Sequence, residues 1–562
     1  MNGKITSIEK DRPNAVLGYV LKNKDKCNGI NLAHALTISL NSPRPPPASH
    51  LSKVTSLLPS IPLKPRQTAI VYHALSKLHG GAPEFKNVLL EHLLPRLTPE
   101  FLDKLNPQEL VMLVSSFSNA FPSNHNLSPP SPLPVLTPVH DFFSRIPPLL
   151  PPSTLNPRTI STLLHSFSTI NHPLTPPSTT SFISSLITNL THSPTSNPHD
   201  LTLSLHSSTN MCDRSKSLNP PTTSLFQKIT SLTPSTYSLL DVNQLIASYG
   251  IGRFDDFKFL QDLYKIANEN IRNENVEVIG NGLWTAARLY VGLECDDLEY
   301  IQEYVETGVE VLRGRVDEVL EDEQVCANFV WSVTVLERRD EGTKEIVRRI
   351  FKELEDKEVK KAHLHQLYQA YCLCDCGVEV SPAFEKRMEK EWRREKERAK
   401  KSSNRHMELS KVLKLMRIAH TNEYEDDIDV SILLTPSGGD SGSVGFTKSL
   451  IKPLTGVSRP PPGRKIALEF DGPDHFTRTT QRSLGHTVLK YRLLTSLGYA
   501  VVRVPYYVWD RIPFWASMER QRYLQRLLKT EEVVRFSEVD RSEYTPLGKS
   551  KSGRAEQSSR FD

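Results

Sequence analysis

A short helical pattern recurs along most of this chain at roughly 40-residue intervals, and it constrains the fold more than any other feature. Most copies have an anchor residue, an apolar residue two positions later and another five positions later. The anchors are His73, Ser115, His165, His206, Ala247, Trp284, Trp331 and Tyr368. Written out, the copies include His73-Ala-Leu-Ser-Lys-Leu78, His165-Ser-Phe-Ser-Thr-Ile170, Trp284-Thr-Ala-Ala-Arg-Leu289, Trp331-Ser-Val-Thr-Val-Leu336 and Tyr368-Gln-Ala-Tyr-Cys-Leu373. A second amphipathic segment follows most copies, as at 298–312 and 343–354, so each unit reads as a helical hairpin. A lone hairpin cannot bury its apolar stripe, so neighbouring hairpins must stack. The anchors are expected to wedge between stacked helices rather than to touch a ligand.

The stretches 41–65 and 121–225 are rich in Pro, Ser and Thr and nearly devoid of charge, and they read as linkers or loops. Forty-one prolines in 562 residues fit a folded but heavily interrupted body. No run approaches the roughly 18 apolar residues of a membrane span. Seven cysteines without regular spacing argue against a secreted disulfide framework and for a reducing compartment. His363, His365, Cys372, Cys374 and Cys376 fit no metal-ligand spacing, and buried thiols at a helix end explain them better.

From residue 381 the composition changes. Residues 381–402 mix opposite charges at helical spacing and read as a connecting helix. Downstream, a helix over 407–420 is followed by strands at Ile428-Asp-Val-Ser-Ile-Leu-Leu434 and Lys465-Ile-Ala-Leu-Glu-Phe-Asp471, a helix over 487–497 closed by Gly498, and a strand over 499–504, in the order α-β-β-α-β. Residues 464–529 hold twelve Lys or Arg against five Asp or Glu, whereas the whole chain carries only +5. A basic module on a near-neutral body suits a polyanion such as nucleic acid.

The segments Leu468-Glu-Phe-Asp-Gly-Pro-Asp-His-Phe476, Thr487-Val-Leu-Lys-Tyr-Arg-Leu-Leu494, Leu497-Gly-Tyr-Ala-Val-Val-Arg-Val-Pro-Tyr-Tyr-Val-Trp-Asp510 and Tyr523-Leu-Gln-Arg-Leu-Leu528 resemble the RAP domain in order and spacing. The upstream units, with copies such as Ala327-Asn-Phe-Val-Trp331, are similar to the helical units that accompany RAP domains in the FAST kinase-like and octotricopeptide-repeat families. The resemblance implies an α-helical repeat solenoid followed by a small α/β module like the PD-(D/E)xK nuclease fold. It also implies an RNA-binding protein of organellar RNA metabolism, acting in rRNA or mRNA processing, mRNA stability or translation. The expected compartment is the mitochondrial matrix, with the chloroplast as the alternative, and the expected partner is single-stranded organellar rRNA or mRNA, alongside other RNA-processing proteins. Segment 1–10 lacks arginine and carries Glu9, unlike an import presequence, so a presequence would have to lie elsewhere in residues 1–50.

The domain reading is an N-terminal extension, partly disordered, over 1–65, repeats over 66–380, a charged helix over 381–402, the α/β module over 403–535 with its core at 464–528, and a disordered tail over 536–562. Through the nuclease-like resemblance, Glu408, Asp429, Glu469 and Asp471 are candidates to gather a divalent ion such as Mg²⁺. Strand alternation puts Glu469 and Asp471 on one side and Ile466, Leu468 and Phe470 on the other. Asp471 stands where the nuclease tripeptide carries its lysine, so the expectation is binding without efficient cleavage and without a cofactor. Lys490 is the candidate relocated cation and His475 a candidate base or ligand. For RNA contact the candidates are Arg478, Arg482, Lys490, Arg492 and Arg503 toward phosphates, and Tyr506, Tyr507, Trp509 and Trp515 as stacking faces, with Trp509 also a candidate core residue. The competing readings are a metal-dependent RNA endonuclease and a protein-interaction scaffold.

Overall fold

A computed structural model describes residues 5, 15–122, 137–174, 177–212, 215–291, 298–374, 376–399, 404–416, 418, 420–424, 428–432 and 465–529. The tail read as 536–562 lies outside the described residues. The described residues are mostly helical, with one small sheet near the C-terminus.

Each repeat anchor falls in the first helix of a hairpin. These helices are α1 (Pro65–His79), α2 (Pro107–Ala120), α3 (Pro157–Thr169), α4 (Pro198–Cys212), α5 (Leu239–Gly252), α6 (Val276–Arg288), α7 (Glu323–Val335) and α8 (Lys361–Tyr371). From α1 to α7 the anchor is the ninth residue of its helix, and in α8 it is the eighth. Ser115, Trp331 and Tyr368 are buried, while His73, His165, His206, Ala247 and Trp284 are half-buried.

The start of these helices is encoded by a repeated cap. Asn106, Asn156 and Asn197, each followed by Pro, and Ser238 accept a hydrogen bond from the backbone N–H three residues on. Proline fits the first helical position because its missing N–H would have no intrahelical partner there. This explains a departure from the sequence reading. The Pro/Ser/Thr-rich stretch read as loop holds the helices Thr137–Ser144, Pro157–Thr169, Pro177–His192, Pro198–Cys212 and Asn219–Thr230. Its prolines start helices, and its hydroxyls fold back on carbonyls one turn earlier, as in Ser166 to Thr162 (2.9 Å) and Ser207 to Leu203 (2.7 Å). The N-terminal extension likewise contains helices Val16–Lys22, Gly29–Asn41 and Ala48–Leu57.

The chain divides into two compact units, one of residues 1–286 and 291–325, the other of residues 287–290 and 326–562. In the first, α1 through α5 pack in succession, and α5 meets α6 where Gly250 lies against Trp284 and Thr285. The second residue of one helix pairs with an acid at the third position of the next: Arg66 with Glu109 (3.6 Å), Arg158 with Asp200 (3.2 Å) and His199 with Asp241 (2.8 Å). Asp200 is almost fully buried and also accepts from Ser161 and Asn197, so the ladder sets the register of neighbouring hairpins.

In the second unit α7 meets α8 through Trp331 Nε1 donating to Gln369 (3.3 Å), and α8 packs on α9 (Pro382–Ala399) with Tyr368 against Trp392. His363, Cys372 and Cys376 are buried here. After α10 (Asn404–Leu415) come β1 (Thr421–Tyr424), β2 (Ile428–Ile432), β3 (Lys465–Asp471), α11 (Gly485–Ser496), β4 (Tyr499–Pro505) and α12 (Ser517–Lys529). The sheet order is β1-β2-β3-β4, antiparallel except for the parallel pair β3 and β4, which α11 connects.

Candidate nucleic-acid interface

Strand β3 is buried on both faces, and its alternation sorts the side chains into two chemistries. Ile466, Leu468 and Phe470 join Leu409, Val412 and Leu413 of α10, Val502 and Val504 of β4, Trp509, and Leu524 and Leu528 of α12 in one apolar core. The other face begins apolar, with Ala467 against Leu494 and Tyr499, and ends with Glu469 and Asp471, each 1% exposed. Parallel pairing sets Glu469 beside Arg503 in register.

A buried carboxylate is costly unless a cation or donors meet it, and here both are met. Lys490 Nζ of α11 lies 2.5 Å from Glu469 Oε2. Arg503 Nε donates to Asp471 Oδ2 (3.1 Å), and its Nη2 donates to Ser483 Oγ (2.6 Å). The Tyr491 hydroxyl donates to Asp471 Oδ1 while its ring lies 4.6 Å from the Arg503 guanidinium. Burial, with the Asp471 charge beside it, pushes the Tyr491 phenol well above its usual range. His475 lies 3.9 Å from Asp471 and bonds Thr487 (3.1 Å).

Of the nuclease-like candidates, Glu469 and Asp471 share one face of β3 and Glu408 lies apart from them. Leu409 and Leu413 place α10 on the apolar face of β3, opposite Glu469 and Asp471, and Glu408 on that helix pairs with Arg520 (2.8 Å). The Asp429 side chain lies outside the described residues, although its strand is described. Among the described residues no group of three or more His, Cys, Asp or Glu is arranged to hold a metal ion. Carboxylates already neutralised by Lys490 and Arg503 are a poor donor set for a divalent cation, which needs open oxygen ligands. Chemically, the arrangement is a closed polar core under the sheet.

The candidate RNA-contacting residues separate in a similar way. Arg492 donates to the Val335 carbonyl (2.7 Å) and Thr334 carbonyl (3.4 Å) at the end of α7, bonds the Tyr290 hydroxyl (3.0 Å) and pairs with Glu337 (3.4 Å). A cation at a helix C-terminus satisfies carbonyls that lack intrahelical partners. The start of α11 is equally close, because a Cβ on Gly485 would collide with the Ala287 carbonyl oxygen and lie 2.9 Å from Val335. Thus, within the second unit, α11 rests on residues 287–290 and on the end of α7.

Trp509 is fully buried, with the Arg520 guanidinium 4.7 Å from its ring, as its core reading requires. Tyr506 and Tyr507 are half-buried against Phe476. Arg478 and Arg482 are half-buried in the tight turn between Phe476 and Ser483, where Gln481 takes a positive φ of 56°. Trp515, by contrast, is 71% exposed beside Phe514 at 74%. Phe514 escapes the sequence reading; the available signal is the pair of large aromatics after Ile512-Pro513, beyond the last strand and outside any apolar periodicity.

Residues 468–527 match the family model of the RAP domain. The chain is 36% identical over 64 residues to a chloroplastic RAP domain-containing protein of Oryza sativa subsp. japonica, covering 11% of this chain and 10% of the relative. It is 36% identical over 73 residues to the mitochondrial FAST kinase domain-containing protein 3 of Homo sapiens, covering 13% of this chain and 11% of the relative. The matched stretch thus spans about a tenth of each relative's length. Sequence motifs, the sheet that carries them and the family match agree that residues 468–527, at the C-terminal end of the chain, are a RAP domain.

Proposed function

We propose that this protein binds single-stranded RNA inside an organelle and acts in the processing, stability or translation of organellar rRNA or mRNA. The observation that carries this reading is the RAP domain at 468–527, within a segment that holds twelve basic against five acidic residues. The relatives named mitochondrial and chloroplastic support an organellar location, with the mitochondrion as the first compartment to test. Stacked helical hairpins supply an extended surface along which a strand can lie, and other RNA-processing proteins are candidate partners on it.

Binding rather than cleavage is the favoured role. The family resemblance implies a nuclease-like module, yet Glu469 and Asp471 are engaged by Lys490 and Arg503 and Glu408 lies on the opposite face of the sheet. Equilibrium binding of the full chain to labelled single-stranded RNA across salt concentrations tests the reading. The logarithm of affinity should fall by about 0.7 per phosphate contacted for each tenfold rise in salt. Absence of binding at low salt, or binding indifferent to salt, would remove it, and imaging of a tagged full-length protein tests the compartment.

A further inference from the structure

The second unit contains a cleft of about 740 Å³ on the α10 side of the C-terminal module, away from Glu469 and Asp471. Its walls are the N-terminal part of α10, with Asn404, Arg405 and Glu408, the loop 510–515, and Arg520 from α12. Resting on the RNA-binding reading, we propose that this cleft holds one unstacked base of a single strand, the base against Phe514 and Trp515 and its phosphate on Arg511.

The loop that carries the aromatic pair is braced from beneath. Arg520 Nε and Nη2 donate to the Ile512 carbonyl (3.3 and 3.1 Å) and Nη1 to Glu408 (2.8 Å), while the guanidinium covers the buried Trp509. Arg405 grips Asp510 with two bonds of 3.1 and 2.6 Å. Backbone bonds from Asp510 to Tyr506 (2.8 Å), Ile512 to Trp509 (3.0 Å) and Ala516 to Pro513 (2.9 Å) fix the rest. On this fixed loop the two rings stand nearly perpendicular, with centroids 4.9 Å apart, and both face solvent. Burying either ring would have stabilised the fold, so two adjacent exposed aromatics on a rigid loop indicate a surface kept open for a ligand.

Charge selects the ligand. The carboxylates of Glu408 and Asp510 are already paired with Arg520 and Arg405. Arg511 is exposed and makes no ion pair among the described residues, so the cleft has an uncommitted cation beside its stacking rings. Flat rings and a guanidinium lining one cleft match a nucleobase with its phosphate, and the volume lies within the range of small-molecule sites. A duplex keeps its bases stacked and cannot offer one to the rings.

The test uses the full chain, a fluorescently labelled single-stranded oligonucleotide RNA and its duplex form. The Phe514→Ala/Trp515→Ala variant should lose about 10- to 100-fold in affinity at an unchanged melting temperature, and the duplex should compete poorly. Arg511→Gln should weaken binding and reduce the salt dependence by about one phosphate contact. RNA should quench tryptophan emission, and Trp515→Phe should keep most of the affinity while losing that quenching. If the wild-type chain binds RNA and the double alanine variant binds it equally well, the cleft proposal fails while the broader RNA-binding reading stands. If the wild-type chain binds no RNA, the broader reading fails and takes this site with it.

Discussion

Replacing Lys490 by methionine would remove the ammonium that lies 2.5 Å from Glu469 Oε2 while preserving most of the stem that packs beside it. Glu469 is 1% exposed, so its carboxylate would remain buried opposite an apolar chain. Removing one partner of such a pair costs about 3–5 kcal/mol. For a unit the size of the one containing residues 326–562, each kcal/mol lowers the melting temperature by about 2–4 °C, so Lys490→Met should lower its transition by roughly 6–20 °C. Glu469→Leu should cost less, because the freed lysine can turn its ammonium toward water. The double variant Lys490→Met/Glu469→Leu should recover to within about 1 kcal/mol of the parent, since exchanging a whole buried pair for apolar groups is often neutral. Calorimetry on all four proteins gives the coupling energy directly. Additive single effects, or a Lys490→Met variant as stable as the parent, would refute the closed ion-pair account and return Glu469 to the pool of available metal ligands.

Arg492→Ala should lower the same transition by about 2–4 kcal/mol, because it strips charge-assisted bonds from the carbonyls ending α7, and thermal melting that is unchanged would show that the seat of α11 does not matter. Trp331→Ala should open a cavity costing about 3–5 kcal/mol before any RNA affinity is lost, and a thermally normal variant that no longer binds RNA would reverse that assignment. Burial, with Lys77 beside it, depresses His73 from 6.5 to about 4. The unfolded chain therefore takes up a proton that the folded chain refuses, and stability should fall by up to about 3 kcal/mol as pH drops from 6.5 to 4 and then level off. A His73→Leu protein whose melting temperature follows pH as steeply as the parent's across that window would contradict this.

Local chemistry was the most legible layer. The anchor spacing located the eight first helices, because an apolar stripe at helical period must face a neighbour wherever the chain runs. The strand read at 465–471 and the helix read at 487–497 are observed at Lys465–Asp471 and Gly485–Ser496, set by alternation and by Gly498, whose φ of 87° ends the helix. Composition misled where it was taken as conformation. The Pro/Ser/Thr-rich segment holds helices such as Pro157–Thr169, because prolines occupy their first turns and residues such as Ile160, Leu163, Leu164 and Phe167 are buried. Strand β1, Thr421-Asn-Glu-Tyr424, carries no apolar alternation and exists as an edge that β2 pairs.

The sequence by itself determined which residues carry charge, which strand positions share a face, and the RAP motifs that gather them at 468–527. It could not determine which charges meet, because the partners of an arginine are chosen by chain segments far away along the sequence. Arg492 finds its carbonyls at Thr334 and Val335, Arg405 finds Asp510, and Arg520 finds Glu408. Only the tertiary structure turned α10 to the apolar face of β3, separating Glu408 from Glu469 and Asp471, and left Phe514 and Trp515 uncovered. The physical reason is one of range: caps, alternation and helical period act within a few residues, whereas burial and ion pairing are decided by whatever surface the folded chain brings within a few ångströms.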